Sequence, residues 1–171
     1  MNKSNLGKDF ESTIKKSLIL VPDISIDRIP DQMSGYSGAS NISDFIVFHS
    51  PDLLYLECKC TYGNTLNYKS AISKNQWIGM LEKSKIRNCV AGVCVWFIDY
   101  DKTVFVPIQE LQKHKESGAK SLNINNILNK EIPFIDVDGV KLRVFFKYDG
   151  ERFIKNIHTL SNNIWKEDNN E

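Results

Sequence analysis

Ser43-Asp44-Phe45-Ile46-Val47-Phe48-His49-Ser50-Pro51-Asp52-Leu53-Leu54-Tyr55-Leu56-Glu57-Cys58-Lys59 is an apolar run opened by an acid, a turn, and a second apolar run ending Glu-x-Lys. Phe45 to Phe48 and Leu53 to Leu56 are β-branched, aromatic or aliphatic, and His49-Ser50-Pro51-Asp52 has turn chemistry. Two strands returning on each other bring Asp44, at the head of the first, close to Glu57 and Lys59 at the tail of the second. Glu57 and Lys59 are two residues apart, so they share one face of the sheet and Cys58 takes the other. Two hard carboxylates suit Mg²⁺, and a lysine beside them can orient or help deprotonate a water and offset charge in a transition state. From spacing alone, a hairpin with a capping Asp44 and a surface Glu57/Lys59 ion pair fits equally well.

Around this stretch the chain reads as α/β. Leu6, Phe10, Ile14 and Leu18 have helical spacing, with Glu11 at the edge of the buried face and able to reach the same cleft. Ile24 to Ile29 alternates as a strand with Arg28 near its end, and Gln32 to Ser43 is a polar, glycine-containing loop. Ser73 is a candidate N-cap for a helix carrying Gln76, Trp77, Met80 and Leu81. Gln76 reads either as part of that cap or as a partner for the lysine or a metal-bound water.

Cys89 to Ile98 is the continuous apolar run of a central strand covered on both faces. A further strand follows over Lys102 to Ile108, then a short helix over Ile108 to Lys115. Ser117-Gly118-Ala119-Lys120-Ser121 is a basic, glycine-containing loop able to hold a phosphate. Pro133 to Phe146 predicts a strand pair around an Asp138-Gly139 turn.

With 171 residues and 42% hydrophobic content, one domain over residues 1–160 is expected, with a polar, mobile tail over residues 161–171. The net charge of +1 excludes a protein-wide basic field. A local patch exists: six basic residues against one acid between Lys59 and Arg87. Cys58, Cys60, Cys89 and Cys94 lack common zinc spacing and read as free thiols, and no leader or membrane span is visible; a reducing cytoplasm is the expected location.

Taken in order, Gly7-x-x-Phe10-Glu11, Arg28, Ser43-Asp44, Glu57-x-Lys59 and Gln76 resemble the PD-(D/E)xK nuclease superfamily. Val106-Pro107-Ile108 and Gly118-Ala119-Lys120-Ser121-Leu122 narrow the resemblance to the RecU-type Holliday junction resolvases. It implies a restriction-endonuclease-like fold, a central mixed β-sheet flanked by helices. By the same resemblance, Asp44, Glu57 and the Cys58 carbonyl would bind Mg²⁺ or Mn²⁺, Glu11 would complete a second metal position, and Lys59, supported by Gln76, would position the water.

Arg28 and Ser43 would contact the scissile phosphate or its neighbours. Lys8, Lys69, Lys74 and Lys120 would contact DNA elsewhere, and a homodimer would act on a four-way junction. One departure stands out: the stalk of RecU-type enzymes is replaced here by the short segment Pro30 to Ser43. Other readings are a restriction or repair nuclease of the superfamily, and a non-catalytic DNA-binding domain of the same fold.

Overall fold

The computed structural model describes residues 3–29 and 41–167. Helix α1 (Lys3–Leu18) forms where Leu6, Phe10, Ile14 and Leu18 recur at every fourth position, and all four are buried. Strand β1 (Ser25–Arg28) precedes the hairpin of β2 (Phe45–His49) and β3 (Asp52–Thr61). The expected return is present, with Phe45 opposite Leu56 and His49 opposite Asp52. The polar loop over residues 32–43 lies outside the described residues except for its last three positions.

The chain continues through β4 (Thr65–Asn67), α2 (Tyr68–Ala71), α3 (Lys74–Lys83) and β5 (Cys89–Phe97). After these come β6 (Lys102–Pro107), α4 (Ile108–Glu116), β7 (Ser121–Asn123) and α5 (Ile124–Leu128). The described chain ends in β8 (Ile135–Asp136), β9 (Gly139–Lys141), β10 (Phe146–Tyr148) and α6 (Gly150–Glu167).

Six strands form a mixed sheet in the order β1-β2-β3-β5-β6-β8. β3 and β5 run parallel, joined by a crossover that contains α3, and the other neighbours are antiparallel. β5 is buried at every position, as its continuous apolar run predicts. Leu54, Leu56 and Cys58 face a core shared with α1 and α6; Tyr55 faces the opposite core, with Trp77 and Met80 of α3 and Leu111 of α4. The fold is thus α/β with a central mixed sheet flanked by helices.

Two expectations fail. No hairpin forms around Asp138-Gly139: β8 joins the main sheet beside β6, with Ile135 opposite Phe105, and β9 pairs with β10 in a separate ribbon. Ile135 gains more apolar contact by extending the sheet than by pairing with β9, which is exposed at all three positions. The polar stretch from Ser161 is also not a tail up to Glu167, because it is the last part of α6. Phe153, Ile157 and Ser161 fall on one helical stripe and all are buried. Residues 168–171 lie outside the described residues. All four cysteines are free, three of them buried and Cys60 half-buried. Among the described residues no helix is long and apolar enough to cross a membrane.

Candidate metal-binding and catalytic site

The site grows from a mismatch in strand length. β2 pairs with β3 only as far as Leu56, while β3 continues along β5 to Thr61. The edge of β3 from Glu57 onward is therefore open on the β2 side. Asp44, one residue ahead of β2, fills the start of that opening: its Oδ2 accepts the Cys58 backbone N–H at 2.8 Å. The C=O of a residue in an extended strand points the same way as its N–H, so the Cys58 carbonyl faces Asp44 as well. The Asp44 carbonyl accepts the Ile29 N–H at 2.9 Å, which ties the end of β1 to the same point.

Glu57 and Lys59 share the sheet face that packs on α3, as their spacing predicts. The Glu57 carboxylate is fully buried, and its Oε1 is held by the Lys59 ammonium and by the Gln76 amide, Nε2 donating at 2.7 Å. Oε2 is buried with no hydrogen-bond partner.

Gln76 makes the cap of its first sequence reading, but its amide goes to the Glu57 carboxylate and not to Lys59. Its Oε1 accepts the Ser73 N–H at 3.0 Å, and the Gln76 N–H donates to Ser73 Oγ at 3.2 Å, closing a capping box on α3. Its Nε2 is left for Glu57.

Burial pushes the Glu57 carboxyl up to about 7, with the Asp44 charge adding to the effect and Lys59 and Gln76 opposing it. Burial also raises Asp44, against the Cys58 N–H and the Lys59 charge, and Glu11 raises it further. Burial works to lower the Lys59 pKa, but the Glu57 and Asp44 carboxylates outweigh it, so Lys59 is held above the ordinary lysine value and remains an ammonium at neutral pH. The site therefore holds two carboxylates whose charged forms lack solvation, beside one fixed positive charge.

The other sequence-predicted residues lie at varying distances from this centre. Glu11 is bound by Arg28, whose Nη2 donates to Oε2 at 3.0 Å. Glu11 is a neighbour that raises the Asp44 pKa, but among the described residues no three His, Cys, Asp or Glu side chains group as metal ligands, so the structure does not bring it into a ligand set. Ser43 is buried, and its hydroxyl donates to the Phe45 carbonyl at 2.9 Å, so it shapes the entry to β2 and does not face outward. Lys8 lies beside Glu11 and Arg28 in a small cleft on the α1 side of the sheet. Lys69, Lys74 and Lys120 gather on the opposite side, next to α3.

Sequence reading missed Gly79. A Cβ there would overlap the Ile42 side chain, so the bare backbone of α3 lets the residues leading into Asp44 pack against the helix that carries Gln76. A glycine inside an otherwise helical pattern is the only sequence signal for it.

The residues present suit a hard divalent cation. Asp44, the Cys58 carbonyl on the same open strand edge and the unpartnered Glu57 Oε2 are all oxygen donors, the chemistry Mg²⁺ or Mn²⁺ takes. A cation on Oε2 would restore the solvation that burial removes.

No protein-family model matches the chain, and no curated protein sequence matches it. Among solved structures it is similar to Hjc of Archaeoglobus fulgidus, a Holliday junction resolvase from an archaeal hyperthermophile. The TM-score is 0.41 and the identity 15%, over 63% of this chain and 78% of that chain.

Proposed function

We propose that this chain is a divalent-metal-dependent endonuclease that resolves four-way DNA junctions in recombination or repair, two copies hydrolysing paired phosphodiester bonds. The observation that carries the chemistry is Glu57: a fully buried carboxylate whose Oε1 accepts from Lys59 and Gln76 and whose Oε2 has no hydrogen-bond partner, beside Asp44. The junction as substrate is supported by the ordered motif residues that resemble RecU-type resolvases.

Asp44, Glu57 Oε2 and the Cys58 carbonyl would hold the ion. When bound, it would polarise the scissile phosphate and lower the pKa of a water. Lys59, kept as an ammonium, would orient that water and offset charge growing on the phosphate oxygens, a role that a raised pKa favours over proton abstraction. Gln76 would keep the Glu57 carboxylate aimed. Arg28, tied to Glu11 beside Asp44, would steady the neighbouring phosphate.

Labelled four-way junctions incubated with Mg²⁺ or Mn²⁺ should acquire paired, symmetric nicks, which EDTA abolishes and added metal restores. Equal cutting of linear duplex would reassign the chain to a restriction or repair nuclease. Junction binding without cutting under either metal would return the non-catalytic reading.

A further inference from the structure

Beside the site lies a groove of about 880 Å³ that the nuclease chemistry does not use. Its size is that of a pocket for a small organic ligand, roughly 300–1,000 Å³. It begins one residue from the centre: Gln76 reaches Glu57, and Trp77 forms the groove wall. The other wall is brought in by pairing of β4 with β7, which sets the Lys120 carbonyl on the Tyr68 N–H at 3.1 Å.

Four lysines line it, Lys69, Lys74, Lys115 and Lys120, with no carboxylate among the lining residues. In a chain of net charge +1 this is a strong local concentration of positive charge. Lys115 is held in place over the Trp77 ring, 4.3 Å from its centroid, and the Trp77 Nε1–H donates to Gln112 Oε1 at 2.5 Å. Between the lysines the lining offers an apolar strip at Leu81 and at an Ile78 that remains 43% exposed, over a floor that includes the buried Ile72.

Charge and shape select the occupant together. Lysines at a rim bind phosphates, but a duplex keeps the faces of its bases stacked inside and presents backbone and base edges to such a surface. An apolar lining is of use to a nucleic acid only when bases are turned out. We propose that this groove binds an unpaired DNA strand, phosphates on the four lysines and bases against Ile78 and Leu81, so that the enzyme favours junctions with splayed or single-stranded DNA beside the cut. The proposal rests on the nuclease reading for the identity of its substrate, but binding of the strand can be measured without cleavage.

Fluorescein-labelled dT8 and an eight-base-pair duplex are titrated in EDTA by anisotropy, with wild-type protein, Lys115→Ala/Lys120→Ala and Ile78→Glu. Wild type should bind dT8 at least tenfold tighter than the duplex. Ile78→Glu, at an exposed position, should cost dT8 tenfold or more. The double lysine variant should do the same and flatten the dependence of log Kd on log salt by about 1.4, the slope of two lost single-strand phosphate contacts. Equal affinity for duplex and dT8, or unchanged dT8 binding in both variants, overturns the proposal. Junction cleavage on the same preparations separates the two readings: a protein that binds dT8 and cuts nothing keeps the groove and loses the nuclease, and one that cuts without binding dT8 loses the groove alone.

Discussion

Strand β3 carries two buried carboxylates, Asp52 at its start and Glu57 five residues on, and they are treated in opposite ways. Asp52 has both oxygens engaged, Oδ1 by the Ser161 hydroxyl at 2.6 Å and Oδ2 by His158, whose Nε2 in turn contacts His49 Nδ1 at 2.8 Å. Glu57 has two partners on one oxygen and none on the other. A buried acid whose lone pairs are satisfied locks elements together, here α6 to the turn of the hairpin. A buried acid left partly unsatisfied lowers stability and is retained where something else must bind.

The largest effect that sharpens this contrast is on chemistry. Glu57→Gln keeps the shape but removes the charge, and junction cleavage should fall at least about a thousandfold, the scale of losing a group that stabilises a transition state. Its melting temperature at pH 8 should not fall. Asp52→Asn should behave in the reverse sense, losing about 2–3 kcal/mol in urea unfolding as the His158 and Ser161 contacts are broken, with specific activity of the folded protein retained. If Asp52→Asn abolished cleavage in folded protein, the division between the two acids would be wrong.

A smaller split is expected one step out. Gln76→Ala should cost about tenfold in cleavage rate, since Lys59 still holds the Glu57 oxygen, whereas Ser161→Ala should cost about 1 kcal/mol of stability and no rate.

The smallest effect is a pH dependence. The folded Glu57 titrates near 7 and an unfolded glutamate near 4.5, so between those values the native state binds more protons and stability falls as pH rises. In EDTA the melting temperature should drop by a few degrees from pH 5 to pH 8, and Glu57→Gln should remove that component. Identical pH curves for the two proteins would show that the acid is not stored in this state.

Local sequence places one of these two acids and not the other. Glu57, Lys59 and Asp44 were legible because strand alternation and an antiparallel return are short-range rules, and the Ser73 cap because its partner is three residues away. Asp52 looked like a turn residue, since Ser161 and His158 lie more than a hundred residues later and no periodicity links them. The same distance hides the end of α6, where the buried stripe of Phe153 and Ile157 continues into Ser161, held by Asp52 of the hairpin. Asp138-Gly139 has the composition of a turn, yet Gly139 opens β9, and a local signal does not say that the strand before it pairs with β6. Gly79 showed as a helix glycine, and only the packed Ile42 explains it.

The two-handed amide of Gln76 has a consequence for which residues its position can accept. Glutamate there would preserve the capping box, as good an N3 residue as any, yet place a second anion against Glu57 where burial already disfavours one. A shorter amide or a hydroxyl would lose one reach or the other. Position 76 is therefore a narrow gate in sequence space, and a relative with glutamate there would need a different way to hold its acid.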